Sequence, residues 1–131
     1  MVRAFIVDMD NVPGSLARIA GAVAEHGVNI TGIAAAGSGG SGIVGFMADD
    51  EAGARAALQA GSFRSHEVDV VTALLDHRPG SLAAAATRLA DAGVNVELVT
   101  PMGMSGGKMS VAFGVSDAAA ARTALGDLAE G

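Results

Sequence analysis

Apolar residues follow two rhythms along the chain. Residues 2–8 (VRAFIVD) are β-branched and apolar-rich, which marks a strand, whereas Leu16, Ile19, Ala20 and Val23 recur at helical spacing. Pro13 suits the first helical position, where its missing N–H costs nothing, and Gly27 suits a left-handed cap at the helix end. "VNITGIAAA" and "IVGFMA" read as two strands joined by the loop "GSGGSG" at 37–42. "DDEAGARAALQA" opens acidic and turns alanine-rich, so it predicts a second helix whose dipole Asp49, Asp50 and Glu51 complement. "HEVDVVTALLD" (66–76) is too long for one ordinary strand and reads as the last strand of one unit running into the first of the next. The order is β-α-β-β-α-β, the α+β ferredoxin-like plait, with helices on one face of an antiparallel sheet.

The pattern is then written again. With residue 10 laid over residue 76, "DNVPGSLARIAGAVAEHGVNI" matches "DHRPGSLAAAATRLADAGVNV". Eleven positions recur: Asp10, Pro13, Gly14, Ser15, Leu16, Ala17, Ala20, Ala24, Gly27, Val28 and Asn29 return as Asp76, Pro79, Gly80, Ser81, Leu82, Ala83, Ala86, Ala90, Gly93, Val94 and Asn95. Farther on, Asp50, Arg55 and Leu58 fall over Asp117, Arg122 and Leu125, one place out of step, so the intervening loop has gained a residue. Two units follow, 1–68 as βαββαβ and 69–131 as βαββα, the second ending too early for a fourth strand. Units of this size bury only ~60% of their unfolded surface, and their open sheet edges call for a partner. A homodimer is the expectation.

Each "PGSL" opens a helix whose first amides, at Gly14, Ser15 and Leu16, lack intrahelical partners and stand at the positive end of the helix dipole. That is a ready seat for a small carboxylate. Asn29 and Asn95 begin strands, where asparagine is disfavoured, and each lies sixteen residues after its proline. A carboxamide supplies both donors and an acceptor. Carboxylate-ready amides near an asparagine suit the zwitterion of an α-amino acid.

The run D-x-x-P-G-S-L, an amphipathic helix and then G-V-N-[IV], within β-α-β-β-α-β, resembles the ACT domain, the small-molecule regulatory module of amino-acid metabolism. The resemblance covers the chain as two ACT units and is similar to stand-alone tandem ACT proteins. It implies an amino-acid ligand where two ACT units meet, held by the first β–α loop and the start of the second strand. The matching positions are Asn11, Val12, Pro13, Gly14, Ser15, Leu16, Asn29 and Ile30 in unit one. In unit two they are His77, Arg78, Pro79, Gly80, Ser81, Leu82, Asn95 and Val96. Serine-sensing members carry a histidine two places before Asn11, where this chain has Met9 and, in unit two, Leu75, which argues against serine. Where specificity would lie, Asn11-Val12 becomes His77-Arg78, so the two sites need not be equivalent.

Charge and composition narrow the classes. A net charge of −6 with eight scattered Lys and Arg argues against nucleic acid and anionic membranes. No apolar run reaches the ~18–20 residues of a membrane span. The N-terminal apolar stretch is short for a signal peptide and is broken by Asp8 and Asp10. The absence of cysteine removes thiol chemistry and fits a cytoplasmic protein. "GSGGSG" matches G-x-G-x-x-G but joins strand to strand, not strand to helix, so it is no dinucleotide fingerprint. His26, His66 and His77 fall in different elements without metal-ligand spacing, and no Ser-His-Asp set is evident. The expectation is an amino-acid-binding allosteric regulator, not an enzyme and without a cofactor, with ligand sites at ACT–ACT interfaces and a possible partner enzyme of amino-acid metabolism. The alternative is a ligand-free interaction module, or regulatory subunit, docking on a biosynthetic enzyme.

Overall fold

The computed structural model describes residues 2–130, which form two compact units: residues 3–67, and residues 68–130 together with Val2. In the first, β1 (Arg3–Asp10), α1 (Ser15–Glu25), β2 (Ile30–Ser38), β3 (Ser41–Ala48) and α2 (Glu51–Ala60) lead into β4 (Ser65–Asp76), with strands in the order β2-β3-β1-β4. This is the ferredoxin-like α+β order expected from the sequence. The second comprises the rest of β4, α3 (Ser81–Asp91), β5 (Val96–Ser105), β6 (Lys108–Val115), α4 (Ala118–Leu125) and a 3-10 turn, Gly126–Leu128, with strands ordered β4-β6-β5. Beside β4, Val2 accepts a bond from the Val70 N–H, and the chain's end forms a bridge between Ala129 and Ala73.

Alternation along each strand sends one set of side chains to the helices. In the first unit Phe5 and Val7 lie opposite Phe46 and Val44, and Ile19 and Val23 of α1 with Ala54 and Leu58 of α2 close over them. The Phe5 and Phe46 rings stack with centroids 5.3 Å apart. In the second unit Val71 and Ala73 lie opposite Phe113 and Val111, under Ala85 and Leu89 of α3 and Ala121 and Leu125 of α4. Asp50 and Asp117 cap α2 and α4 alike, each carboxylate accepting the N–H three residues on.

The hairpin at 37–42 is tighter than the sequence suggested. Pairing continues through Gly37–Gly42 to Ser38–Ser41, so only Gly39 and Gly40 turn and the rest of "GSGGSG" is strand. Glycines cannot hold a loop open against a ladder that supplies every neighbouring backbone group with a partner. The second unit shows an irregularity the first lacks. Both β2 and β5 begin with a register shift, but β5 has another between Pro101 and Gly103. Proline has no N–H to give a ladder, and it stands on a strand whose other edge is unpaired within the unit.

One ion pair ties a helix to β4. Arg55 of α2 donates two bonds to Glu67, of 2.8 and 2.6 Å, and Arg3 lies 3.8 Å from the same carboxylate. The hydrogen bonds from Arg55 hold the Glu67 carboxyl below its ordinary value, against a partial opposition from burial. A lowered folded-state pKa contributes stability above the unfolded value, and that contribution is lost as pH falls through the folded value. Glu67→Gln should therefore be modestly less stable than wild type at neutral pH, and the gap should close in acid and narrow in high salt. Urea unfolding of both proteins across pH 7 to 3 reads this directly.

Candidate functional site

The repeated phrase folds the same way twice. The Ser15 N–H donates to Val12 O and the Ser81 N–H to Arg78 O, both at 3.3 Å. Gly14 has φ 92 and ψ −11, and Gly80 has φ 91 and ψ −14. Proline second and a left-handed glycine third define a type II turn. Pro13 is therefore not the first helical residue, as its sequence had suggested. It belongs to the turn, Gly14 is the N-cap, and α1 starts at Ser15. The Ser15 amide is spent within that turn, so the free donors of the helix start shift to Leu16 and Ala17, and in the second unit to Leu82 and Ala83.

In the second unit this turn overhangs a cavity of about 250 Å³. His77, Arg78, Ser81 and Leu82 of the nominated residues line it. Its floor comes from Leu75, Val99, Pro101, Met109 and Val111, which the motif did not point to. The signal for them was available: Val99 and Pro101 lie opposite Phe113 and Val111, so strand alternation puts them on the helix-facing side beneath the loop. A more polar space of about 340 Å³ borders the same loop, lined by Pro79 and Gly80, with Leu75, Asp76, Arg78 and Ser81 shared between the two. Arg88 lines that second space and donates to Leu125 O at 2.8 Å. Asp76 lies 3.4 Å from the Arg78 guanidinium and 3.7 Å from the Lys108 ammonium.

The corresponding loop of the first unit is tied down differently. Asn11 Nδ2 donates to Gly39 O at 3.0 Å, a side-chain tie added to the backbone bond that both loops make, Asn11 N–H to Gly40 O and His77 N–H to Gly107 O. The carboxamide rests over Gly37, where a Cβ would stand 2.5 Å from Asn11 Oδ1. At Gly103, the matching position of the second unit, nothing lies within 4 Å. Val12 and Leu16 are exposed at the start of α1, as Leu82 is at the start of α3. Pro13 and Gly14 are exposed and Ser15 half-buried.

The two asparagines are fixed through their backbones. The Asn29 N–H donates to Asp49 Oδ1 at 2.9 Å and its carbonyl accepts from the Asp49 N–H, so Asp49 serves this junction rather than the helix dipole. Asn95 is held likewise by Ser116. Both residues are exposed, the following Ile30 and Val96 are half-buried, and Asn95 and Val96 are not among the residues lining either space. Among the described residues no three His, Cys, Asp or Glu side chains gather as metal ligands, and no helix is long and apolar enough to cross a membrane.

Residues 3–60 match the family model of the ACT domain. The matched ACT segment runs from β1 through α2 and so includes the Pro13-Gly14 turn and Asn29. No curated protein matches the chain by sequence. Among solved structures it is similar to a protein from Bacteroides thetaiotaomicron, with a TM-score of 0.75 and 23% identity over 95% of this chain and 87% of the other. It is also similar to the ligand-free regulatory subunit of aspartate kinase from Thermus thermophilus, with a TM-score of 0.67 and 21% identity over 97% and 91% of the two chains. The regulatory subunit of aspartate kinase from Thermus flavus gives 0.68 and 21%, over 95% and 89%. At these identities the likeness is one of fold, the ferredoxin-like α+β arrangement.

Proposed function

We propose that the protein is a regulatory amino-acid sensor built of two tandem ACT units, 1–68 and 69–131, that carries no chemistry of its own. The observation carrying this reading is the twice-formed Pro-Gly turn, which precedes two helix starts whose first amides lack intrahelical partners. A ligand carboxylate would rest on those amides, whose partial positive charge favours an anion. Asn29 and Asn95, at the start of the next strand, are the candidate partners for its ammonium. The ACT match and the fold shared with aspartate kinase regulatory subunits support a regulatory role over a catalytic one. The protein would act in the cytoplasm as a homodimer and pass ligand occupancy to a partner enzyme of amino-acid metabolism, since binding can only bias states for which the ligand has different affinity.

A second reading rests on β5, which pairs only with β6 within its unit and exposes Val99, Met102 and Met104. Such a strand suits docking on an enzyme without any small ligand. Thermal unfolding in the presence of each of the twenty amino acids at millimolar concentration separates the two readings. The sensor reading expects a higher midpoint with one or a few of them, because a ligand that prefers the folded state adds about 2.7 kcal/mol at a hundredfold excess over Kd. No shift with any amino acid would overturn the sensor and leave the docking module.

A further inference from the structure

The two copies of the loop do not offer the same site. We infer that the second unit alone takes the ligand, and that this ligand is an α-amino acid with a compact apolar side chain. The inference rests on the sensor reading and narrows it to one unit and one chemical class.

Three observations carry it. First, the rim charges differ. Where the first unit has Asn11, Val12 and Ser41, the second has His77, Arg78 and Lys108. Asp76 lies between Arg78 and Lys108, so the two fixed cations exceed the one anion and a positive charge is left for a ligand carboxylate. The first-turn amide of Leu82, a residue that lines the cavity, has no intrahelical partner and is a donor for the same group. Second, the mouth differs. In the first unit the Asn11 carboxamide bonds to Gly39 O and packs on Gly37, while the space at Gly103 is open and β5 is bent out of register between Pro101 and Gly103. Third, the floor is made of carbon. Leu75, Leu82, Val99, Pro101, Met109 and Val111 offer a ligand side chain no polar side-chain partner.

Size and polarity then select the occupant. At about 250 Å³ the cavity lies just below the ~300–1,000 Å³ of pockets that hold drug-sized ligands, which suits a single small metabolite. A side chain bearing a charge or a hydroxyl would leave its polar group unpaired against this floor, and would bind roughly tenfold or more weakly than an apolar one of similar volume. Valine, leucine, isoleucine and methionine meet both demands.

Isothermal titration calorimetry of the full chain with these four, and with serine, aspartate and lysine, tests the inference. Arg78→Val, which installs the residue of the first unit, is titrated beside wild type. The Arg78 side chain is 73% exposed, so its loss leaves the fold intact, and the unliganded melting temperature checks this. The expected result is one site per chain, filled best by a member of the apolar set and weakened at least tenfold in Arg78→Val. Two equal sites per chain, tighter binding of serine, aspartate or lysine, or unchanged affinity in Arg78→Val would each overturn the inference while leaving an amino-acid sensor standing. Binding by none of these seven would overturn the inference, and the thermal panel of all twenty amino acids then decides whether the sensor reading falls with it.

Discussion

Phe46→Ala should cost the first unit about 3–5 kcal/mol, the loss expected for removing a buried phenylalanine. Phe46 is fully buried on β3, stacked on Phe5 of β1, and part of the cluster closed by Ile19 and Val23 of α1 and Leu58 of α2. Truncation removes the transfer energy of the ring and leaves a hole between elements that cannot collapse, because the β1–β3 ladder fixes the distance across which the ring reached. The stacked pair adds about 0.5–1.5 kcal/mol beyond the area it buries, so Phe5 is weakened as well. Urea unfolding monitored by far-UV circular dichroism gives the number. A loss below 1 kcal/mol would mean that this ring does not hold the sheet to the helices.

Gly14→Val and Gly80→Val should each cost about 1–3 kcal/mol, and by the same amount, since a non-glycine residue held in the left-handed region pays that order of strain. The two glycines differ by one degree in φ and three in ψ, and a Cβ at either would meet nothing within 4 Å. The penalty is therefore one of backbone conformation and not of collision. A valine can escape it by flattening the turn, but this gives up the Ser15–Val12 or Ser81–Arg78 hydrogen bond and releases the start of the helix. Equal losses in the two variants would confirm that the turn has one geometry written twice. A much larger loss in one of them would show a neighbour pressing on that turn.

Much of this architecture was legible in the sequence because it rests on period and punctuation. Val7 and Ile19 declare a strand and a helix by their neighbours' spacing, and Gly27 and Gly93, both at φ 71, end their helices as left-handed residues. Pro13 misled because proline is equally at home in a helix's first turn and at the second position of a type II turn. Only the φ of Gly14 separates the two, and no composition reveals a dihedral angle. The "GSGGSG" segment misled for a related reason: glycine signals freedom, but Gly37 and Gly42 take the conformation that the β2–β3 ladder gives them.

The candidate site was half visible. His77, Arg78, Ser81 and Leu82 adjoin the motif and were found with it, whereas Val99, Pro101, Met109 and Val111 come from strands folded beneath it. Their part depends on pairing register, which a list of motifs does not contain. The difference between the two loops lay deeper still. Asn11 and His77 occupy the same place in the repeat, yet what separates them is the bond from Asn11 to Gly39 O, a contact across 28 residues.

The most direct test is a titration followed by two-dimensional NMR of the ¹⁵N-labelled chain, with valine, leucine, isoleucine and methionine added in turn. The account predicts saturable shifts of the Ser81, Leu82 and Ala83 amides with at least one of them, while those of Ser15, Leu16 and Ala17 stay in place. Equal shifts at both helix starts would contradict the one-unit site, and no shift at either would contradict amino-acid binding by these turns.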